Sequence, residues 1–261
     1  MTTPAFRAPA ATCLRENPGA RLRLFCFPFA GGGARTFGAW AADLPPELER
    51  DVELWAVNLP GREAALADAK FTDLGSLIEA LRPQIVPFLR APFAFFGHSM
   101  GALIGFELAR SLRTEGLDGP VHMVVSAFRA PHLPDPHEAV HDLSDADLIL
   151  RLWKLGGTPP EVLREPELME LMLPLLRADL SICGTYVHRH GEPLDCSLTA
   201  FGGAGDHEVS REELEGWPSH FRGPFELHIF PGGHFFLQTA QALVLRILAR
   251  DLRAVLRRLD A

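Results

Sequence analysis

One serine, one histidine and one aspartate, each set beside glycines, carry the chemistry of this sequence. Ser99 stands in Gly97-His98-Ser99-Met100-Gly101, between an apolar run over residues 93–96 and a helical pattern over 103–110. A serine on so sharp a strand-to-helix turn needs neighbours without bulk two positions away on either side. The turn lifts the hydroxyl out of the sheet and above a helix N-terminus, whose unpaired N–H groups stabilise negative charge. A hydroxyl is a weak nucleophile at neutral pH and needs a base within hydrogen-bond reach. His234, after Pro231-Gly232-Gly233, is that base, and Asp206, after Gly202-Gly203-Ala204-Gly205, is the anion that fixes its tautomer. The attacked carbonyl oxygen then needs two N–H donors. Met100 supplies one, and Phe29 or Ala30, beside Gly31-Gly32-Gly33, the other. Such a set performs acyl transfer through a covalent ester and requires neither a metal nor an organic cofactor.

The competing residues fit less well. His98 adjoins the serine but points elsewhere on the turn, His228 is mid-strand, and His207 and His220 read as surface residues. Glu208 and Asp195 are alternatives to Asp206, the first two residues further along the loop and the second before the strand. The glycine run at 31–33 could also cradle a phosphate. However, no Lys-Ser/Thr follows it, and the G-x-G-x-x-G spacing with a later acid is absent.

These residues need a scaffold that brings four loops to one edge. Residues 21–29, 52–59, 93–96, 121–127, 197–201 and 225–230 read as strands, the first starting with alternation and becoming continuously apolar, with helical patterns at 34–44, 74–89, 103–110 and 240–259. Pro83 and Pro87 predict a kink or break within 74–89. Strand–helix alternation predicts an α/β chain with a mainly parallel, doubly wound sheet, in which ligands bind beyond the C-terminal strand ends. Every glycine-rich break falls at such an end.

Between residues 132 and 190 the pattern changes to helices at 145–155, 159–163 and 167–186, separated by prolines. An all-helical insertion there reads as a lid. Its leucines either line a tunnel for an apolar substrate or pack on the core. The division expected is a flexible lead-in over 1–20, a core over 21–131 and 191–261, and a lid over 132–190.

The 261 residues suit one large domain with an insertion, and a hydrophobic content of 47% supports a substantial core. A net charge of −8 without a dense basic run excludes a nucleic-acid partner; the arginines of 250–258 read as a solvated helix end. Cys13, Cys26, Cys183 and Cys196 have no metal-ligand spacing, and Cys26 reads as a buried thiol. No leader pattern and no membrane-length apolar run is visible, so a cytoplasmic protein without membrane attachment is expected, as a monomer.

The whole set resembles the type II thioesterases, free-standing α/β-hydrolases that accompany polyketide synthases and non-ribosomal peptide synthetases. The resemblance rests on Phe27-Pro28-Phe29-Ala30-Gly31-Gly32, Pro60-Gly61-Arg62-Glu63, Gly97-His98-Ser99-Met100-Gly101-Ala102 with Phe106-Glu107-Leu108-Ala109, Arg129-Ala130-Pro131, and Gly233-His234-Phe235-Phe236-Leu237. It implies hydrolysis of acyl groups from the phosphopantetheine arm of acyl or peptidyl carrier proteins, with Ser99, His234 and Asp206 as triad and Ala30 and Met100 as oxyanion donors. It also implies a helical lid over an acyl chamber. Medium-chain thioesterases of fatty acid synthesis share these features, and a carboxylesterase or lipase would share the triad. Carrier proteins are usually acidic, as this chain is. Attraction must therefore be local, through Arg62, Arg129 or lid arginines, or docking must be apolar and weak.

Overall fold

The computed structural model describes residues 8–90, 92–135 and 143–260. Strands β1 (Ala11–Arg15), β2 (Leu22–Phe27) and β3 (Val52–Val57) enclose the short helices α1 (Gly38–Asp43) and α2 (Pro46–Glu49) in the chain. Helix α3 (Leu74–Ile85), strand β4 (Phe93–His98), helix α4 (Met100–Thr114) and strand β5 (His122–Ser126) follow. Then come α5 (Asp145–Leu155), α6 (Pro160–Leu163), α7 (Pro166–Gly184), β6 (Ser197–Gly203), α8 (Arg211–Leu214), β7 (Phe225–Phe230), α9 (Phe236–Thr239) and α10 (Gln241–Leu259).

The seven strands form one sheet in the order β1-β3-β2-β4-β5-β6-β7. All neighbours are parallel except β1, which runs antiparallel to β3. The central strands are buried on both faces, which is why they read as unbroken apolar runs rather than alternating ones. One face packs under α3 and α4 through Leu77, Leu81, Leu103, Ile104 and Leu108; the other packs under α1, α2 and α10 through Trp40, Leu48, Leu245, Leu248 and Leu252. This is the mainly parallel, doubly wound α/β arrangement that the pattern predicts.

Two local details differ from expectation, the second only at Pro83. The lead-in expected over 1–20 contains β1, whose Ala11 pairs with Val57; residues 1–7 lie outside the described part. Helix α3 runs through Pro83 and gives way only at a 3-10 turn over Val86–Phe88, around Pro87.

Helices α5, α6 and α7 form a unit of their own. Leu148, Leu152, Leu163, Met169, Leu173 and Leu176 make a separate apolar cluster, while Ile182, near the end of α7, joins the core beside α4. Helix α7 therefore belongs to both. Of the leucines expected on these faces, Leu152, Leu155 and Leu176 border a cavity, whereas Leu168 and Leu171 face solvent.

Candidate active site

The Ser99 turn is as tight as the glycine spacing requires. Ser99 takes φ 53° and ψ −123°, a conformation in which L side chains are strained. Its amide donates to the Ser126 carbonyl at 2.7 Å. A Cβ on Gly97 would stand 2.3 Å from the Gly101 carbonyl oxygen, and one on Gly101 would stand 2.1 Å from that of Phe27. Only glycine lets strand β4, helix α4 and the end of β2 approach so closely.

Loops from three strand ends deliver one hydrogen-bonded line. Ser99 Oγ lies 3.0 Å from His234 Nε2, and His234 Nδ1 lies 2.9 Å from Asp206 Oδ2. The other Asp206 oxygen accepts the amides of Glu208 at 2.8 Å and Val209 at 3.3 Å, which locks the carboxylate's orientation. His234 is 8% exposed and the Asp206 side chain is fully buried. Burial raises the strength of each polar contact in such a site. Among the described residues, neither the Ala30 nor the Met100 amide donates to a protein acceptor, and both residues border the cavity at Ser99. Phe29 contributes a ring, edge-on to Phe235 at 4.8 Å, to the wall beside them.

The alternatives to the acid and base fall elsewhere. Glu208 is paired with Arg151, and Asp195 with Arg222 at the surface. His228 sits against Glu226 and Asp251. His207 is exposed. His220, however, is half-buried against Phe106, Trp217 and the rings of His132 and His188, and burial, with the nearby histidines and the Arg110 guanidinium adding to it, depresses its pKa to about 4. His98 lies fully buried behind His234, with ring centroids 5.5 Å apart, and pairs through Nδ1 with Ser126 Oγ at 2.8 Å. Burial, and then the proximity of His234, hold its pKa well below the usual histidine range. A neutral His98 leaves an imidazolium at His234 unopposed.

The sequence reading missed what holds the glycine loop. Arg62, one of the residues offered above for attracting a carrier protein, is buried and donates to both Asp179 oxygens at 2.8 and 2.7 Å and to the Gly32 carbonyl at 3.0 Å. Arg129 is likewise tied, to Asp135 at 3.0 Å. Glu63, at φ 47°, accepts the amides of Ala34 and Arg35. Its carboxylate leaves no room for a Cβ on Gly33, which would meet it at 2.5 Å. Pro60-Gly61-Arg62-Glu63 is thus a clamp on residues 31–35. Signals for it existed in the motif, but its partner Asp179 lies 117 residues away.

Two spaces with shared walls open at Ser99 and His234. One, of about 200 Å³, has the pairs Arg129–Asp135 and Arg151–Glu208 in its wall; the other, of about 60 Å³, is bounded by Phe29, Leu152, Leu155, Leu176, Leu180 and Phe235. A larger groove of about 750 Å³, between α3, α4 and residues 185–191, contains none of the residues of the hydrogen-bonded line. Among the described residues, no helix is long and apolar enough to cross a membrane.

Comparisons with known proteins identify the family. A family model described as the thioesterase domain matches residues 22–253. Gramicidin S biosynthesis protein GrsT of Aneurinibacillus migulanus is 42% identical over 240 residues, covering 92% of each chain. A protein of Brevibacillus parabrevis named linear gramicidin dehydrogenase LgrE is also 42% identical, over 91% of this chain and 90% of its own. Among solved structures, the type II thioesterase BorB from the borrelidin biosynthetic cluster superposes with a TM-score of 0.83 at 35% identity, over 93% of this chain and 97% of that one.

Proposed function

The chain belongs to the thioesterase-domain family, and we propose that it is a free-standing type II enzyme clearing aberrant or stalled acyl groups from carrier proteins. In this reading Ser99 Oγ attacks the thioester carbonyl while His234 Nε2 takes its proton and Asp206 holds the resulting imidazolium. The tetrahedral oxyanion accepts hydrogen bonds from the amides of Ala30 and Met100. The C–S bond breaks, and the pantetheine thiolate leaves with the proton from His234. Water then gives a proton to His234, attacks the Ser99 ester and releases the free acid, and Ser99 regains its proton.

The observation that supports these roles is the unbroken line from Asp206 through His234 to Ser99, beside two amides without an acceptor. The dehydrogenase name borne by one relative does not suit this loop. Hydride transfer from a nicotinamide needs amides free for a pyrophosphate. Here the Gly31 amide is bound to Asp179, and a carboxylate already occupies the amides of Ala34 and Arg35.

Helices α5 to α7 act as the lid, and the small, partly charged space beneath them favours short acyl groups over long alkyl chains. Neither Arg62 nor Arg129 is free to attract a carrier protein. Docking is mostly apolar and weak, through exposed lid residues such as Trp153, Leu168 and Leu171, with the exposed Lys154 and Arg164 of the lid as the local positive charge. The protein works as a monomer in the cytoplasm.

The test is to load acetyl or propionyl on a phosphopantetheinyl carrier protein and follow its conversion to the free thiol form by intact mass, with the matching nitrophenyl ester alongside. Faster turnover of the carrier-bound group supports the reading. Fast ester cleavage with the loaded carrier left intact would replace it with a general esterase.

A further inference from the structure

Arg62 and Asp179 take no part in the proton transfers, yet they form a buried two-point ion pair directly beside the proposed oxyanion site. The Asp179 side chain is 2% exposed and that of Arg62 is 8% exposed. Asp179 Oδ2 also accepts the Gly31 amide at 2.7 Å, and Arg62 also donates to the carbonyls of Gly32 and Pro60. Gly31 adopts φ +77°, and the place of its absent Cβ is filled by Leu176 Cδ2 of α7, at 2.7 Å. Both contacts to the loop therefore come from the same lid helix.

The consequence follows from peptide geometry. The Gly31 amide and the Ala30 carbonyl share one planar group, so fixing the first sets the orientation of residue 30. Arg62 fixes the next carbonyl but one. The Gly32 amide in turn donates to the Phe29 carbonyl at 2.9 Å, and that carbonyl shares its peptide plane with the Ala30 N–H, so the braced turn sets where the Ala30 N–H points. Lifting α7 would carry Asp179 away and leave Arg62 as an uncompensated buried charge, a strongly unfavourable state.

We infer that Asp179, braced by Arg62, is a positioning residue that makes the Ala30 oxyanion donor conditional on a seated α7. The end of α7 is then a fixed anchor, and lid motion that exposes the site belongs to α5, α6 and the first half of α7. An enzyme with α7 displaced would bind an acyl group but not stabilise its tetrahedral intermediate. This rests on the assignment of Ser99 and Ala30 above.

The experiment replaces both charges by apolar groups, Arg62→Met with Asp179→Leu, which leaves no buried charge unpaired while removing the acceptor from Gly31. The expected result is a folded protein whose kcat falls about 100-fold, the scale of a lost oxyanion donor, with KM changed less than about threefold. Affinity for a boronic acid that forms a tetrahedral adduct on Ser99 should fall by the same factor as kcat. A folded double variant with kcat within about twofold of wild type overturns the inference, as does a lowered kcat with unchanged boronate affinity. In the wild-type protein, hydrogen exchange of residues 29–33 and of the end of α7 should report one common opening; independent opening of the two segments overturns the inference even if the variant does not fold. Using a nitrophenyl ester as the assay substrate separates failure here from failure of the carrier-protein reading, which that ester does not test.

Discussion

Asp206→Asn is the substitution for which the structure fixes the outcome most tightly. Asp206 Oδ1 accepts two backbone amides, at 2.8 Å from Glu208 and 3.3 Å from Val209, while Oδ2 faces His234 Nδ1. An asparagine must keep its oxygen toward those two donors, since turning its NH₂ to them would leave buried amides unpaired. Its NH₂ group then faces His234 and donates to Nδ1. That forces the proton onto Nε2, which lies 3.0 Å from Ser99 Oγ and can no longer accept the serine proton. The wrong tautomer in a comparable triad costs about 10⁴ in kcat, or about 5.5 kcal/mol of transition-state stabilisation. Folding stability should change by less than about 1 kcal/mol, because both backbone donors stay satisfied. The assay is steady-state hydrolysis of a short acyl thioester, with denaturant unfolding of the same preparation. A variant that keeps more than about a tenth of wild-type kcat would refute the assignment of Asp206, and with it the tautomer argument.

Two further outcomes are expected. Gly101→Ala should destabilise the protein by about 2–3 kcal/mol and lower kcat about 100-fold, because its Cβ would lie 2.1 Å from the Phe27 carbonyl oxygen, just before the loop that carries Ala30. Gly105→Ala, one turn further along α4, meets only side-chain atoms at 3.5 Å or more and should be neutral or stabilise by up to about 1 kcal/mol; thermal melts and kcat of the pair give the contrast. Stability should also fall with acid. His122 is buried against Ser197 and Thr199, and burial, more than its charged neighbours, depresses its pKa from 6.5 to about 4. A folded pKa below the unfolded one means this stability is complete above pH 6.5 and is lost as pH falls toward 4. At about 1.4 kcal/mol per pH unit, that amounts to about 3 kcal/mol. Urea midpoints between pH 7.5 and 4.5 should drop by at least that much and fall less steeply in His122→Gln, where the buried His98 and the half-buried His220 still contribute; an equal slope in that variant would contradict the assignment.

Much of the scaffold was legible because buried parallel strands cannot alternate. Residues 93–96 announce themselves as an apolar run, whereas the edge strand over 225–230 alternates, and the glycine-rich strand ends locate the edge where Ser99, Asp206 and His234 meet. Strand β1 was hidden for the opposite reason. Ala11–Arg15 is a half-exposed edge strand with one residue buried, lying among alanines and prolines. The bracing role of Arg62 was not legible because an arginine is normally solvated. Its burial depends on Asp179, a distant residue on α7, and no local pattern encodes that pairing. His220 was misread likewise, since the rings that shelter it come from three separate segments.

The most direct test of the account is a single turnover of an acyl-loaded carrier protein, quenched in acid, for wild type and Ser99→Ala. The account predicts that the acyl mass leaves the carrier, appears transiently on the peptide containing Ser99, and ends as free acid. In Ser99→Ala the carrier should keep its acyl group. Release by the alanine variant at a comparable rate, or an acyl mass on any other residue, would contradict the central role of Ser99.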